Sequence, residues 1–323
     1  MRLVATARLE DGVKLGRDVL TGRADGMPLL RAGTRISTRY RAALERAGIN
    51  AVWVDDSLSA GIEPTPAVND ETRAAATRAV AAAFESAQLA LGQSQPLAPE
   101  VIDTLSSAVA RIAADVLASG EVALALSDLG AADSYTLQHS INVTALGLLI
   151  GDRLWRERGY VDWRGRRTWS GRDERLSRLG LGLLVHDIGK LAVPQSILNK
   201  PSELDPEEWI LMRSHPLAGV DLLRSDLISP LVKVVVRSHH ERWDGSGYPD
   251  GKSGDEIHEF ARIAAVADVY DALRQARPHR PGLDHASTVA QMLAAPGQFD
   301  PAVREAFKAC EKMFEEIELT IPE

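Results

Sequence analysis

The chain has 323 residues, of which 45% are hydrophobic and 25% charged, and its formal net charge is -8. This composition is ordinary for a globular protein of about two domains, at roughly 150 residues per domain. The acidic balance argues against a general binder of nucleic acid polymers, and no apolar run approaches the roughly 18 residues of a membrane span. The N-terminus lacks the apolar segment of a signal peptide, and a single cysteine, Cys310, suits a reducing compartment. We therefore predict a cytoplasmic protein.

Residues 1–56 predict a small mixed α/β module. Three short apolar stretches are typical of strands, at residues 3–7, 27–30 and 51–54. Ser37 suits the N-cap of a helix, and Gly48 suits its C-terminal stop. The module has no histidine and no phosphate-binding loop, so we interpret it as a packing or partner-binding unit. A small-molecule sensor is the alternative.

Residues 57–130 predict a linker followed by connecting helices. Residues 57–70 are rich in Ser, Pro and Gly, whereas residues 71–91 are rich in alanine and have high helix propensity. Residues 100–117 carry apolar side chains at three- and four-residue spacing, which predicts a second helix. The two helices either form a dimerisation or signal-transmitting element, as in a homodimer, or simply cover the core of the next domain.

Residues 131–323 carry all eight histidines and predict a mainly α domain. Helical patterns surround His139 and cover residues 261–273, and we predict a helix rather than a strand at 231–238 despite its β-branched residues. Residues 153–178 hold nine arginines and three tryptophans and predict a surface insertion between two helices. This insertion either contacts phosphates or an acidic partner, or is a solvated hairpin.

A histidine and an aspartate, His186 and Asp187, stand next to each other in a run that is otherwise apolar. Burying both without partners would be costly, and a metal ion accounts for both because it binds neutral imidazole and carboxylate together. Apolar helical segments supply further candidate ligands, and the whole set is His139, His186, Asp187, His215, His239, His240 and Asp268. Seven ligands exceed what one metal uses, so we predict two divalent ions with Asp187 as the bridge. Nitrogen and oxygen ligands without a thiolate suit Fe or Mn, and also Zn, Ni or Co.

The sequence motifs around these ligands closely resemble those of the HD-GYP domain, a bacterial branch of the HD metal-dependent phosphohydrolases. The matching segments are HDIGK at 186–190, ILNKP at 197–201, HP at 215–216, HHERWDGSGYP at 239–249, ARIAAVAD at 261–268, RPHR at 277–280 and QFDP at 298–301. The resemblance covers about residues 131–307 and implies an all-helical HD-type bundle. Residues 1–56 also resemble a small module found ahead of such domains.

The resemblance implies hydrolysis of cyclic di-GMP to pGpG, and in many members on to GMP, by a hydroxide that bridges two metals. It implies that His139, His186, Asp187 and Asp268 hold one metal, and that Asp187, His215, His239 and His240 hold the other. Lys190 would stand beside the hydroxide and the scissile phosphate, Arg277 and Arg280 would bind phosphate, and Tyr248 would border the substrate. Alternatively, Lys190 is a surface residue, the arginines form salt bridges, and Tyr248 packs its loop.

One position departs from the family pattern. Some members add a third metal through a glutamate four residues before the first histidine, where this chain has Tyr135. We therefore predict a two-metal site that favours the first cleavage over the second. We also interpret Asp271 as an acid at a helix end that orients a ligand histidine, and Glu241 as a residue that supports the ligands from outside.

Two other functions compete with cyclic di-GMP hydrolysis. One is hydrolysis of another cyclic dinucleotide or a nucleotide, and the other is a non-catalytic cyclic di-GMP receptor that signals through its N-terminal module. The intact ligand set and Lys190 favour the enzyme, because a receptor need not keep them. The family's role suggests diguanylate cyclases with GGDEF domains, and other signalling proteins, as partners.

Overall fold

The computed structural model of the protein describes residues 1–20, 28–46, 49, 51–56, 68–91, 97–118, 135–161, 166–200, 202–275, 282–295 and 297–310. The fold is mainly α, as predicted. Its helices are α1 (Thr38–Arg46), α2 (Asp70–Leu91), α3 (Pro99–Ala118), α4 (Tyr135–Arg158), α5 (Arg172–Leu184), α6 (Gln195–Leu198), α7 (Pro206–Met212), α8 (His215–Leu222), α9 (Pro230–Ser238), α10 (Glu259–Arg274), α11 (His285–Leu293) and α12 (Pro301–Cys310). Its strands are β1 (Arg2–Ala5), β2 (Lys14–Leu15), β3 (Val19–Leu20), β4 (Pro28–Leu30), β5 (Ala51–Asp55), β6 (Tyr160–Val161) and β7 (Arg167–Thr168).

The N-terminal residues form the small mixed α/β unit that the sequence predicts. Strand β5 lies between β1 and β2 and pairs antiparallel with both, while β3 pairs with β4. The hydroxyl of Ser37 accepts a hydrogen bond from the Tyr40 amide at 3.4 Å, as expected near a helix N-terminus. Buried apolar side chains form a local core, among them Leu9, Leu15, Ile36, Leu44 and Val54.

Helix α4 lies at the centre of the helical part. It packs against α5, α10 and α12, and its residues from His139 to Asp152 are buried, which explains why this stretch has no polar face. Helices α2 and α3 contribute to the same hydrophobic core, through Val80 on α2 and Ile112 on α3 for example. The connecting helices therefore cover the core of the histidine-bearing region. Among the described helices, none is long and apolar enough to cross a membrane.

Helix α9 confirms the helical prediction for its β-branched sequence. Its N-cap residue, Ser229, accepts a hydrogen bond from the Leu231 amide, and Pro230 occupies the first helical position. Val232, Val235 and Val236 are buried on one side, so the branched side chains pack into the core. Tertiary packing thus outweighs the modest helix propensity of valine.

The predicted insertion is shorter than residues 153–178, because α4 continues to Arg158 and α5 begins at Arg172. Trp155 anchors the last turns of α4: its ring is buried and its Nε1 donates a hydrogen bond to Glu259 at 2.6 Å. Ion pairs one turn apart, such as that of Arg153 with Glu157, also stabilise these turns. What remains between the helices is the β6–β7 hairpin with its flanking residues.

A 3-10 helix, Ile188–Ala192, follows the candidate ligand pair and packs directly on α8. The contact is closest at Gly189, where a Cβ atom would lie 1.9 Å from the carbonyl oxygen of His215 and 2.4 Å from the amide nitrogen of Gly219. Only glycine allows the two backbones to approach this closely. This contact fixes Asp187 beside His215.

Candidate metal centre

All seven candidate ligands converge in the interior, although five different helices supply them. His139 lies on α4, Asp268 on α10, and His215 begins α8. The adjacent pairs 186–187 and 239–240 follow the C-terminal ends of α5 and α9. Two groups emerge in which the ligand atoms lie within 4.8 Å of one another: His139, His186 and Asp268, and Asp187, His215, His239 and His240. The ends of α5 and α9, the start of α8 and the interiors of α4 and α10 therefore bring the ligand set together.

Asp187 lies between the two groups. Its Oδ2 is 3.5 Å from His186 Nε2 and 3.8 Å from His139 Nε2. Its Oδ1 is 3.4 Å from His215 Nε2 and 3.8 Å from His239 Nε2. Each carboxylate oxygen thus faces a different group, which is the arrangement that a bridging ligand requires.

The Nε2 atoms point inward because the opposite ring nitrogens bind the protein. Nδ1 of His186 contacts the Leu183 carbonyl and Nδ1 of His215 contacts the Met212 carbonyl, both at 2.7 Å. Nδ1 of His239 contacts the Val236 carbonyl at 2.9 Å. A carbonyl only accepts, so each Nδ1 carries the proton and each Nε2 presents a lone pair.

His139 is oriented by a carboxylate instead, as predicted for Asp271. Its Nδ1 donates to Asp271 Oδ2 at 2.6 Å, and its Nε2 lies 3.1 Å from Asp268. Asn142 donates to the other Asp271 oxygen at 2.9 Å, and Gln275 also donates to this carboxylate. The sequence interpretation missed Asn142 and Gln275, although a polar residue one turn after His139 in an apolar helix was a usable signal.

The electrostatics of the site favour the ligand forms of five of these side chains, whereas burial would lower the pKa of His139 but its hydrogen bonds with Asp268 and Asp271 raise it well above the ordinary value. Burial lowers the pKa of His215, lowers that of His239 well below its ordinary value, and lowers that of His240 to about 3. Burial would raise the pKa of Asp187, but nearby positive charge, first that of Lys190, holds it well below its usual range. Burial likewise opposes ionisation of Asp268, yet the hydrogen bond from His139 lowers its pKa. Neutral imidazoles and ionised carboxylates are the forms that bind divalent metals.

The side chains fit a cation better than they fit one another. His186 Nε2 and Asp187 Oδ1 are buried and have no hydrogen-bond partner among the described residues. His215 Nε2 and His239 Nε2 lie 3.3 Å apart, and each presents a lone pair toward the other. An unsatisfied buried polar atom costs about 1–3 kcal/mol, so several at one point indicate a site for positive charge.

Lys190 and Tyr248 lie at the edge of this centre. The Lys190 ammonium donates to Asp187 Oδ2 at 2.5 Å, so Lys190 is not merely a surface residue. The Tyr248 ring stacks on His240 with centroids 4.7 Å apart and an interplanar angle of 28°. Burial raises the pKa of Tyr248, which keeps its hydroxyl protonated. Both side chains therefore contact members of the ligand groups directly.

The loop that carries Tyr248 is held by Glu241, which is 2% exposed. One oxygen of Glu241 accepts from the Asp250 amide at 2.7 Å and the other from the Lys252 amide at 3.1 Å. Arg237 adds a two-pronged ion pair with Asp250, at 2.9 and 2.7 Å. Glu241 thus acts on the loop that follows His240, because its hydrogen-bond partners are backbone amides of that loop.

The remaining positions that the sequence analysis considered are Arg277, Arg280, Tyr135 and His258. Arg277 and Arg280 lie outside the described residues, so their predicted phosphate contacts stay predictions. Helix α4 begins at Tyr135, and the two-metal prediction that depends on this residue stays a prediction as well. His258, which we left out of the ligand set, caps α10 by accepting from the Phe260 amide.

Comparison with known proteins agrees with this geometry. The HD domain family matches residues 166–303. The chain is 36% identical over 272 residues to cyclic di-GMP phosphodiesterase PA4108 of Pseudomonas aeruginosa, and the alignment covers 81% of this chain and 60% of that protein. It is 40% identical over 124 residues to 3'3'-cGAMP-specific phosphodiesterase 2 of Vibrio cholerae, and that alignment covers 38% of this chain and 24% of that protein. The chain thus spans less than two thirds of either relative.

The fold is similar to that of Bd1817, an HDG"Y"P protein from Bdellovibrio bacteriovorus, with a TM-score of 0.60 and 16% identity. The similarity covers 96% of this chain and 99% of that one. The family match and the ligand set together define an HD domain within this chain. More narrowly, with HDIGK at 186–190 and GYP at 247–249, the matched residues are an HD domain of the HD-GYP type.

Proposed function

We propose that this protein is a metal-dependent phosphodiesterase that hydrolyses cyclic di-GMP to pGpG, with cleavage to GMP as a slower second reaction. The observation that carries the proposal is the pair of ligand groups joined by Asp187, whose two oxygens face opposite groups. The relative from Pseudomonas aeruginosa, named as a cyclic di-GMP phosphodiesterase, supports the choice of substrate.

Two divalent ions would be held, one by His139, His186, Asp187 and Asp268, the other by Asp187, His215, His239 and His240. We propose iron or manganese in preference to zinc, nickel or cobalt, because the donor set is nitrogen and carboxylate oxygen without thiolate. When bound, such ions supply Lewis-acid activation of a phosphodiester and of water. A cation near His139 Nε2 would take the place of the proton that Asp268 and Asp271 otherwise stabilise there.

The side chains around the centre have distinct tasks in this proposal. Asp187 joins the two groups, and Lys190 places an ammonium where negative charge develops on the phosphate. Tyr248 borders the substrate and, with its hydroxyl protonated, can donate a hydrogen bond. Arg277 and Arg280 are proposed to bind phosphate, on the strength of the family pattern alone.

We also propose that residues 131–323 form the HD-GYP domain, that residues 57–130 connect it to the module of residues 1–56, and that the protein acts in the cytoplasm. In this proposal residues 57–130 transmit signals between the two units while covering the core. Diguanylate cyclases with GGDEF domains, and a second copy of the chain, are the partners that such signalling would use.

A second candidate substrate has support of its own. The Vibrio cholerae relative is named for 3'3'-cGAMP, and it shares 40% identity with this chain over the matched residues. The two cyclic dinucleotides differ in one base, so the phosphodiester chemistry described above would serve either. Competition between them measures the specificity directly.

The deciding experiment is turnover of cyclic di-GMP and of 3'3'-cGAMP by protein loaded with Fe(II) or Mn(II), with products resolved as linear dinucleotide or mononucleotide. We expect faster turnover of cyclic di-GMP, with pGpG accumulating. Faster turnover of 3'3'-cGAMP would select the second substrate, and tight binding of cyclic di-GMP without turnover would select a receptor.

The bridging role of Asp187 has a separate test. Asp187→Ala should lose both metals and all activity, whereas Asp221→Asn, a change at an exposed aspartate paired with Arg224, should lose neither. Metal content is measured by elemental analysis of the purified protein. Two ions per chain in Asp187→Ala would disprove the bridge, and three ions in the wild type would disprove the two-metal proposal.

A further inference from the structure

Tyr248 connects His240 of the candidate metal centre to Arg213, which is exposed at the surface. Tyr248 stacks on the ring of His240, and the Arg213 guanidinium lies over the same tyrosine ring, 5.1 Å from its centroid. Trp209, one helical turn before Arg213, holds the guanidinium from another direction at 5.8 Å. Cation–π contacts of this kind fix the position of an arginine without neutralising its charge.

Arg213 differs from the other arginines of this region. Arg224, Arg237 and Arg262 each make an ion pair with an aspartate at 2.7 Å or less. Within the described part of the chain, Arg213 makes no ion pair; its guanidinium contacts the ring of Trp209 in the helix that it caps and the ring of Tyr248 beyond that helix. Its side chain is exposed and lies close to the centre. An oriented, unneutralised guanidinium is suited to a ligand that carries negative charge.

The geometry of the proposed substrate calls for such a charge. A cyclic dinucleotide has two phosphodiesters in one ring, and only one can lie against the ligand groups while it is cleaved. The second remains anionic and must find a partner further out. Arg213 contacts the same tyrosine ring as His240, so its guanidinium lies within reach of a ligand bound at the centre without being part of the centre itself.

We propose that Arg213 binds the phosphodiester that is not cleaved, with Trp209 and Tyr248 holding its guanidinium in place. This inference rests on the proposed function, because it assumes a substrate with two phosphates. A guanidinium can donate two parallel hydrogen bonds to a phosphate, so the residue contributes to substrate binding and leaves the bond-breaking step to the metal centre.

The test compares a substrate with two phosphodiesters and one with a single phosphodiester. Wild type, Arg213→Met and Arg224→Met are assayed with Mn(II) on cyclic di-GMP and on bis(p-nitrophenyl) phosphate. For Arg213→Met we expect a KM for cyclic di-GMP raised by about 10- to 100-fold with little change in kcat, which corresponds to the loss of one charge-assisted hydrogen bond. Hydrolysis of the small substrate should be unchanged, and Arg224→Met should match the wild type on both.

Three results would contradict the proposed role of Arg213. A normal KM for cyclic di-GMP in Arg213→Met would overturn the proposal, and equal losses on both substrates would assign Arg213 a merely structural role. Arg213→Lys should recover part of the affinity, and a lysine variant as weak as the methionine variant would show that charge is not what matters.

Equilibrium binding separates this inference from the proposed function. Metal-stripped wild type and Arg213→Met are titrated with cyclic di-GMP in a calorimeter, and the variant should bind at least 10-fold more weakly. If the wild type binds but does not hydrolyse, the enzyme proposal fails while the Arg213 comparison still decides. Equal binding by the two proteins, or none by the wild type, overturns the role of Arg213.

Discussion

Gly189→Ala probes the closest backbone contact at the candidate metal centre. The new methyl carbon would lie 1.9 Å from the His215 carbonyl oxygen and 2.4 Å from the Gly219 amide nitrogen. Both obstacles are backbone atoms, so no side chain can rotate away, and the 3-10 helix must move from α8 by more than about 1 Å to restore normal contact. Such overpacking costs about 1–3 kcal/mol.

The upper end of that range applies here because two backbone atoms are involved. For a chain of 323 residues, an unfolding entropy of roughly 2.1 cal/mol/K per residue means that about 3 kcal/mol lowers the unfolding temperature by roughly 4 °C. The movement also separates Asp187 from His215, which now lie 3.4 Å apart, while metal ligands tolerate only about 0.2 Å of displacement. We therefore expect Gly189→Ala to lose metal as well as stability.

Thermal unfolding and metal analysis measure the two effects separately. Gly151→Ala is the matched control, because its methyl would meet mainly the flexible end of Leu179 at 2.8 Å, and alanine is favoured inside a helix. It should unfold near the wild-type temperature and keep its metal. An unaltered unfolding temperature and metal content in Gly189→Ala would refute the close contact on which this reasoning depends.

Three further predictions concern groups that support the site or the core. Glu241→Gln should lower kcat/KM by about 10-fold and speed hydrogen exchange in residues 245–252, because the glutamine amide has one oxygen and can accept from only one of the two loop N–H groups. Hydrogen exchange at the wild-type rate in these residues would contradict this prediction. Asp271→Asn should weaken metal binding by about 10- to 100-fold in chelator competition, and equal affinity would remove its assigned role. Burial raises the pKa of Cys310 to about 12, so iodoacetamide at pH 8 should modify it only after unfolding in urea. The unfolded thiol ionises near pH 8.5 and the folded one does not, so stability should fall as pH rises above that value, less steeply in Cys310→Ala.

The ligand set was predictable from sequence because its chemistry is unusual. Histidine and aspartate in apolar helical runs have few explanations, and the pair His186 and Asp187 indicated where the two ligand groups meet. Apolar spacing likewise predicted the longer helices, and the valine-rich α9 was predicted from its flanking residues. These inferences use residue type and spacing, which the sequence records directly.

Other features depend on distances that spacing does not encode. Glu241 was predicted to support the ligands, but its spacing in the sequence does not show that its oxygens accept from the amides of Asp250 and Lys252. The length of α4 was underestimated because the burial of Trp155 against Glu259 is a tertiary contact. Arg213 escaped notice for the same reason: its neighbour Tyr248 lies on another element.

Three of the inward-facing histidines owe their tautomer to carbonyl groups in the last turns of helices α5, α7 and α9. These carbonyls belong to the main chain, so no side-chain replacement can remove them, and they carry the partial negative charge of a helix C-terminus. His139 lies inside a helix and depends on Asp271 instead. The four histidines therefore differ in their sensitivity to mutation. A single substitution of Asp271 can change the orientation and tautomer of His139, whereas those of the other three histidines change only if the end of a helix unwinds.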